Sequence, residues 1–108
     1  MDRIAKIKEL LDEKKALDII DYDLKNSDYF VDYVIVATTM ADKHADALLD
    51  HLKKNLKPLG ESFLGIDKSD DWTVIDLGDI LIHLMSEEYR AKYQMDSFLK
   101  EIKEKLRR

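Results

Sequence analysis

A carboxylate and an imidazole within reach of each other are the minimum of an acid–base pair, and this chain offers one such combination in Asp76 and His83. Both lie in the stretch D-W-T-V-I-D-L-G-D-I-L-I-H-L-M-S-E-E-Y-R-A-K-Y, from Asp71 to Tyr93. A nucleophile to complete the site has no fixed position beside them, and cysteine is absent. The simpler expectation is an Asp–His hydrogen bond that braces the local structure, with a partner contact as the alternative and catalysis a remote third. Asp76 and Asp79 invite a metal–carboxylate reading, but Asp79 falls where a turn former belongs. His44 and His51 stand seven apart, on roughly one helix face, and a metal would still need a third ligand; surface or capping roles are expected. No metal and no cofactor is expected. The glycines Gly60, Gly65 and Gly78 form no phosphate cradle, and neither a P-loop nor a G-x-S-x-G elbow occurs. Trp72, the sole tryptophan, suits either core packing or an anchor for a partner. Arg90 and Tyr93 share a helix face, where an arginine brace to a hairpin carboxylate is expected.

The elements that must position these residues are legible in the spacing. Two apolar runs flank Gly78-Asp79, which reads as a hairpin whose turn needs the positive φ that glycine adopts readily. With those two residues as the loop, Leu77 faces Ile80, Ile75 faces Ile82 and Thr73 faces Leu84, all on one side. That side is almost wholly aliphatic and belongs in the core. The other side carries Trp72, Val74 and Asp76 opposite Met85, His83 and Leu81. Asp76 and His83 become diagonal neighbours there. Buried carboxylates and imidazoles need partners, so this mixed face, or its Trp72 end, is expected to meet solvent or another molecule.

Elsewhere, Ile4, Ile7 and Leu11 give helical spacing over residues 2–15. Ile20, Tyr22 and Leu24 alternate with aspartates as a strand over 16–24. Residues 32–38 read as a second strand, and the apolar run Tyr33 to Ala37 suits a central position. Thr39 or Asp42 is positioned to cap a helix whose stripe is Ala41, Ala45, Leu48, Leu49, Leu52 and Leu56. Pro58 and Gly60 end it. Residues 62–66 suggest a short strand, and Lys68 to Asp71 a polar loop. Ser86 offers an N-cap with Glu87 and Glu88 behind it, and Met95, Leu99, Ile102 and Leu106 continue helical spacing. The expected fold is α/β in the α+β sense: a single mixed sheet of about five strands packed against helices.

The 108 residues suit one domain, spanning 1–108, with an N-terminal helix over 1–15 and a charged helical extension over 100–108. With 45% hydrophobic and 38% charged residues the composition is that of a soluble globular protein. No apolar run approaches the ~20 residues of a membrane helix. The charged N-terminus does not read as a secretory signal, and a cytoplasmic location is expected. A net charge of −5 disfavours non-specific nucleic-acid binding but suits a basic protein partner.

The ordered set D-W-x-x-x-D-x-G-D-x-x-x-H and E-x-R-x-x-Y resembles the ribosomal silencing factor family, also called RsfS or Iojap. It is carried by Trp72, Asp76, Gly78, Asp79, His83, Glu88, Arg90 and Tyr93. Lys15-Ala16, Asp18-Ile19, Asp32-Tyr33-Val34-Ile35, Ala37-Thr38, Lys43-His44 and Ala47 extend the resemblance, which spans residues 14–99. Thr39, Met40, Ala41 and Asp42 stand where the family often has Gly-x-Ser-Ser, and Met95 to Leu99 replace its L-E-x-L-W. The resemblance implies a nucleotidyltransferase-like topology without the catalysis. It implies binding to the large ribosomal subunit through its fourteenth protein, a block on small-subunit joining, and a homodimer off the ribosome. The expected partner-binding residues are Trp72 as anchor, with Asp71, Thr73, Val74, Asp76 and His83. Asp32, Tyr33, His44, Gly78, Asp79, Arg90 and Tyr93 are the remaining motif positions. A nucleotidyltransferase-like enzyme and a non-catalytic dimeric scaffold are the alternative functions.

Overall fold

The structure, a computed structural model, describes residues 2–105. Helix α1 spans Arg3–Glu13, and Asp2 caps it by accepting the Ile4 and Ala5 N–H groups. Strands β1 (Leu17–Asp23) and β2 (Tyr33–Thr39) follow, then helix α2 (Asp42–Leu56), strands β3 (Gly65–Lys68), β4 (Trp72–Asp76) and β5 (Ile80–Ser86), and helices α3 (Glu87–Lys92) and α4 (Met95–Lys105). The five strands form one mixed sheet in the order β1-β2-β5-β4-β3. Only the β2–β5 pair is parallel.

Val34 to Ala37 are fully buried in β2, as the unbroken apolar run requires of a strand flanked on both edges and covered on both faces. One face of the sheet carries α1 and α2. Ile7, Leu10, Leu11, Leu48, Leu52 and Leu56 pack there against Ile35, Ile75, Ile80, Ile82 and Leu84. Each such buried side chain contributes about 1.5–3 kcal/mol of hydrophobic stabilisation. The other face carries a smaller cluster, in which Met95 and Leu99 of α4 cover Tyr22, Val34 and Val36, together with Leu81 and Met85 of β5.

Four sequence expectations are corrected. Helix α2 begins after Ala41, with no side-chain cap from Thr39 or Asp42; Met40 N–H instead donates to His44 Nδ1 at 3.0 Å. Strand β3 lies at Gly65–Lys68 rather than 62–66, because its place is set by pairing Gly65 with Asp76 and Lys68 with Thr73. Lys68 is therefore in the strand and not in the loop. The last helix is broken at Tyr93-Gln94, where Gln94 takes φ 48° and redirects α4 across the sheet. Ser86 does cap α3, accepting the Tyr89 N–H at 3.2 Å. The end of the expected 100–108 extension, Leu106 included, lies outside the described residues.

Candidate functional site

The hairpin register is the one the alternation requires. Trp72 pairs with Met85, Val74 with His83 and Asp76 with Leu81 on one side; Thr73 pairs with Leu84 and Ile75 with Ile82 on the other. Gly78 takes φ 98° at the turn, and Leu77 N–H bonds the Ile80 carbonyl at 2.9 Å. Asp79 is not in the positive-φ region, which excludes the I′ hand.

The expected Asp76–His83 bond does not form. Asp76 Oδ1 accepts the Gly78 N–H at 2.8 Å and so closes the turn. His83 has two diagonal neighbours on this face, and the one it bonds is Trp72: the indole Nε1–H donates to His83 Nδ1 at 2.9 Å. An accepting Nδ1 requires the neutral ring. Burial acts the same way, lowering the His83 pKa to about 4. Tyr93 flanks the indole, with ring centroids 5.3 Å apart, and Tyr89 stands 5.6 Å from Tyr93. Trp72 is thus fixed at its N–H edge by β5 and flanked by the end of α3, yet it remains half-exposed.

Helix α4 covers the β1–β2 half of this face and leaves the β4–β3 half open. Val74 and Asp76 are half-exposed, and Asp67 and Phe30 are exposed. Phe30, Gly65, Asp67, Val74, Asp76 and Leu81 line an open cleft of about 450 Å³. From Trp72 to Asp76 this surface runs along β4 for roughly 13 Å. Its rim is acidic: Asp67 and Asp76 flank the cleft, and Asp71 precedes Trp72.

Of the expected partner-binding residues, the structure brings Trp72, Val74 and Asp76 together on this surface, with Asp71 half-exposed beside Trp72. Thr73 is excluded: it is 2% exposed and points into the α1–α2 side. His83 is 8% exposed, with its Nδ1 taken by the indole N–H.

The remaining motif residues hold the frame. Arg90 is buried and does not brace the hairpin. It donates to Asp96 of α4 through Nε at 2.8 Å and Nη2 at 3.0 Å, to the Asp18 carbonyl at 2.7 Å and to Thr38 Oγ1 at 3.0 Å. These bonds tie α3, α4, β1 and β2 together, and Tyr22 Oη also donates to Asp96. Hydrogen bonding from Arg90 holds the Asp96 carboxyl below the usual carboxylate range. Asp79 pairs with Arg3 of α1, which also bonds Glu61. Arg3 likewise lowers the Asp79 carboxyl. The Asp79 carbonyl accepts the N–H groups of Asp32 and Tyr33, joining the turn to the start of β2. His44 accepts from Met40 N–H and bonds the Lys14 carbonyl through Nε2 at 2.7 Å, while His51 reaches Glu13 at 2.8 Å. Both histidines pin α2 to the end of α1. Among the described residues, no three His, Asp or Glu side chains are grouped to hold a metal, and no helix is long and apolar enough to cross a membrane.

The family model described as "Ribosomal silencing factor during starvation" matches residues 1–107. The chain belongs to the ribosomal silencing factor family. The family's ribosomal silencing factor RsfS of Haemophilus influenzae is 30% identical over 90 residues, covering 82% of this chain and 88% of that protein. The mouse protein named "Mitochondrial assembly of ribosomal large subunit protein 1" is 28% identical over 81% of this chain and 40% of its own length. A crystal structure of a Chromobacterium violaceum protein superposes with a TM-score of 0.83 at 28% identity, covering 93% of this chain and 88% of that one. Sequence reading alone did not find the Trp72–His83 bond or the Arg90 network. Their only signal was that these residues belong to the family motif.

Proposed function

We propose that this protein is a non-catalytic silencing factor that docks on the large ribosomal subunit through its fourteenth protein and blocks joining of the small subunit. It works as a single unit in the cytoplasm, and a homodimer is its resting form away from the ribosome. The observation that carries this reading is the uncovered half of the sheet face, where a half-exposed Trp72 is held rigidly beside Val74 inside an acidic rim. Family membership supplies the ribosomal context. An aromatic ring that is already oriented makes a good anchor, because little freedom is lost on binding. The aspartates around it suit a basic protein surface and raise the rate of encounter. Inhibition by occupancy needs no reaction centre.

The test is sedimentation of purified protein with large subunits. Wild-type protein is expected in the ribosomal pellet, and Trp72→Ala, at about 2 kcal/mol or more of lost binding, in the supernatant. Circular dichroism should show the variant folded, since the indole lies at the edge of the smaller cluster. Equal pelleting of a folded Trp72→Ala protein would remove the anchor.

A further inference from the structure

We infer that His83 is a positioning residue for Trp72: it takes up the indole N–H, so that the partner meets the ring through its apolar carbons and supplies no hydrogen-bond acceptor to it. This rests on Trp72 being the anchor, and it adds what kind of group the anchor receives. The indole has a single polar group, a donor. That donor is committed within the protein, at 2.9 Å from His83 Nδ1. His83 itself is held on β5, the strand between β2 and β4, and is almost fully buried, so the acceptor cannot turn away to release the donor. Tyr93 packs beside the ring from α3. The neighbouring Val74 and Leu81 continue the surface as aliphatic. A partner carbonyl or carboxylate aimed at Nε1 would have to break an existing bond and leave a buried imidazole nitrogen unpaired.

Two substitutions separate the bond from the bulk of the ring. His83→Asn keeps an oxygen acceptor near the position of Nδ1, and His83→Leu does not. Binding of purified large subunits is expected to weaken roughly 5- to 10-fold in His83→Leu, the effect of one lost hydrogen bond, and to stay within about 3-fold of wild type in His83→Asn. The single tryptophan reports the cause: fluorescence anisotropy decay should show a freer indole in His83→Leu and a wild-type indole in His83→Asn. A double-mutant cycle then asks whether His83 acts through the indole N–H. Trp72→Phe removes the donor, and adding His83→Leu to it should cost no further affinity.

Additive losses in that cycle would overturn the inference, as would a freed indole with undiminished binding, or His83→Asn behaving like His83→Leu. Should His83→Leu not fold, the same cycle run with His83→Gln, whose acceptor is displaced by one methylene, decides the matter. Full binding by Trp72→Ala would instead remove the anchor reading on which this one stands, whatever the His83 variants do.

Discussion

Acidification from pH 7 to pH 5 should destabilise this protein through His83. In the folded state burial lowers its pKa from 6.5 to about 4. The bond from Trp72 opposes protonation too, because a proton on Nδ1 would set two N–H donors against each other. The unfolded chain therefore binds the proton first, between pH 6.5 and 4, and stability rises with pH across that window. The contribution is fully present above about pH 6.5 and is lost as the pH falls toward 4. At ~1.36 kcal/mol per pH unit the whole gap is worth about 3 kcal/mol, of which about 2 kcal/mol disappears between pH 7 and pH 5. The two arginine-held carboxylates, Asp79 and Asp96, lose their contribution only below this window, as the pH falls through the carboxylate range. Urea unfolding followed by Trp72 fluorescence gives the stability at each pH. His83→Asn is the control: it keeps an acceptor, does not titrate, and leaves His44 and His51 in place to cancel. The stability difference between wild type and His83→Asn should change by about 2 kcal/mol over the window. Parallel curves for the two proteins would refute the reasoning.

Other substitutions test the frame. Gly78→Ala places a Cβ 3.2 Å from Leu64 Cδ1 at a φ of 98° and should cost about 1–2 kcal/mol, whereas Gly60→Ala, at the same φ with nothing within 4 Å, should cost less; thermal unfolding ranks the pair. Arg90→Ala removes the bonds to Asp96, which keeps Tyr22, to the Asp18 carbonyl and to Thr38, and a loss of about 1–3 kcal/mol in urea unfolding is expected. Arg3→Ala removes an exposed pair with Asp79 and Glu61 and should cost under about 1 kcal/mol, less still in high salt.

The hairpin was legible in full because alternation and a glycine turn are local signals: once Gly78-Asp79 is the loop, every face assignment follows. The same holds for the central place of β2, which its apolar run dictates. What could not be read was set by distance or competition. Arg90 bonds residues 72 and 52 positions away, and nothing near it in the chain names them. His83 had two diagonal neighbours, and Asp76 was taken by the Gly78 N–H, a choice the spacing leaves open. Strand β3 carries Asp67 and Lys68 and is a strand only because β4 pairs with it. The break at Gln94 has neither glycine nor proline to announce it; packing of α4 on β1 and the Arg90–Asp96 bonds hold it. Thr73 shows the opposite case. The alternation placed it on the core face, and its 2% exposure agrees with the spacing against its nomination as a partner contact.

Direct inhibition of subunit joining is the decisive measurement. Purified large and small ribosomal subunits, mixed at joining magnesium concentration with increasing amounts of the protein, should show a falling fraction of joined particles on sucrose gradients, with the protein travelling in the large-subunit peak. Undiminished joining with the protein saturating would contradict silencing by occupancy of the large subunit.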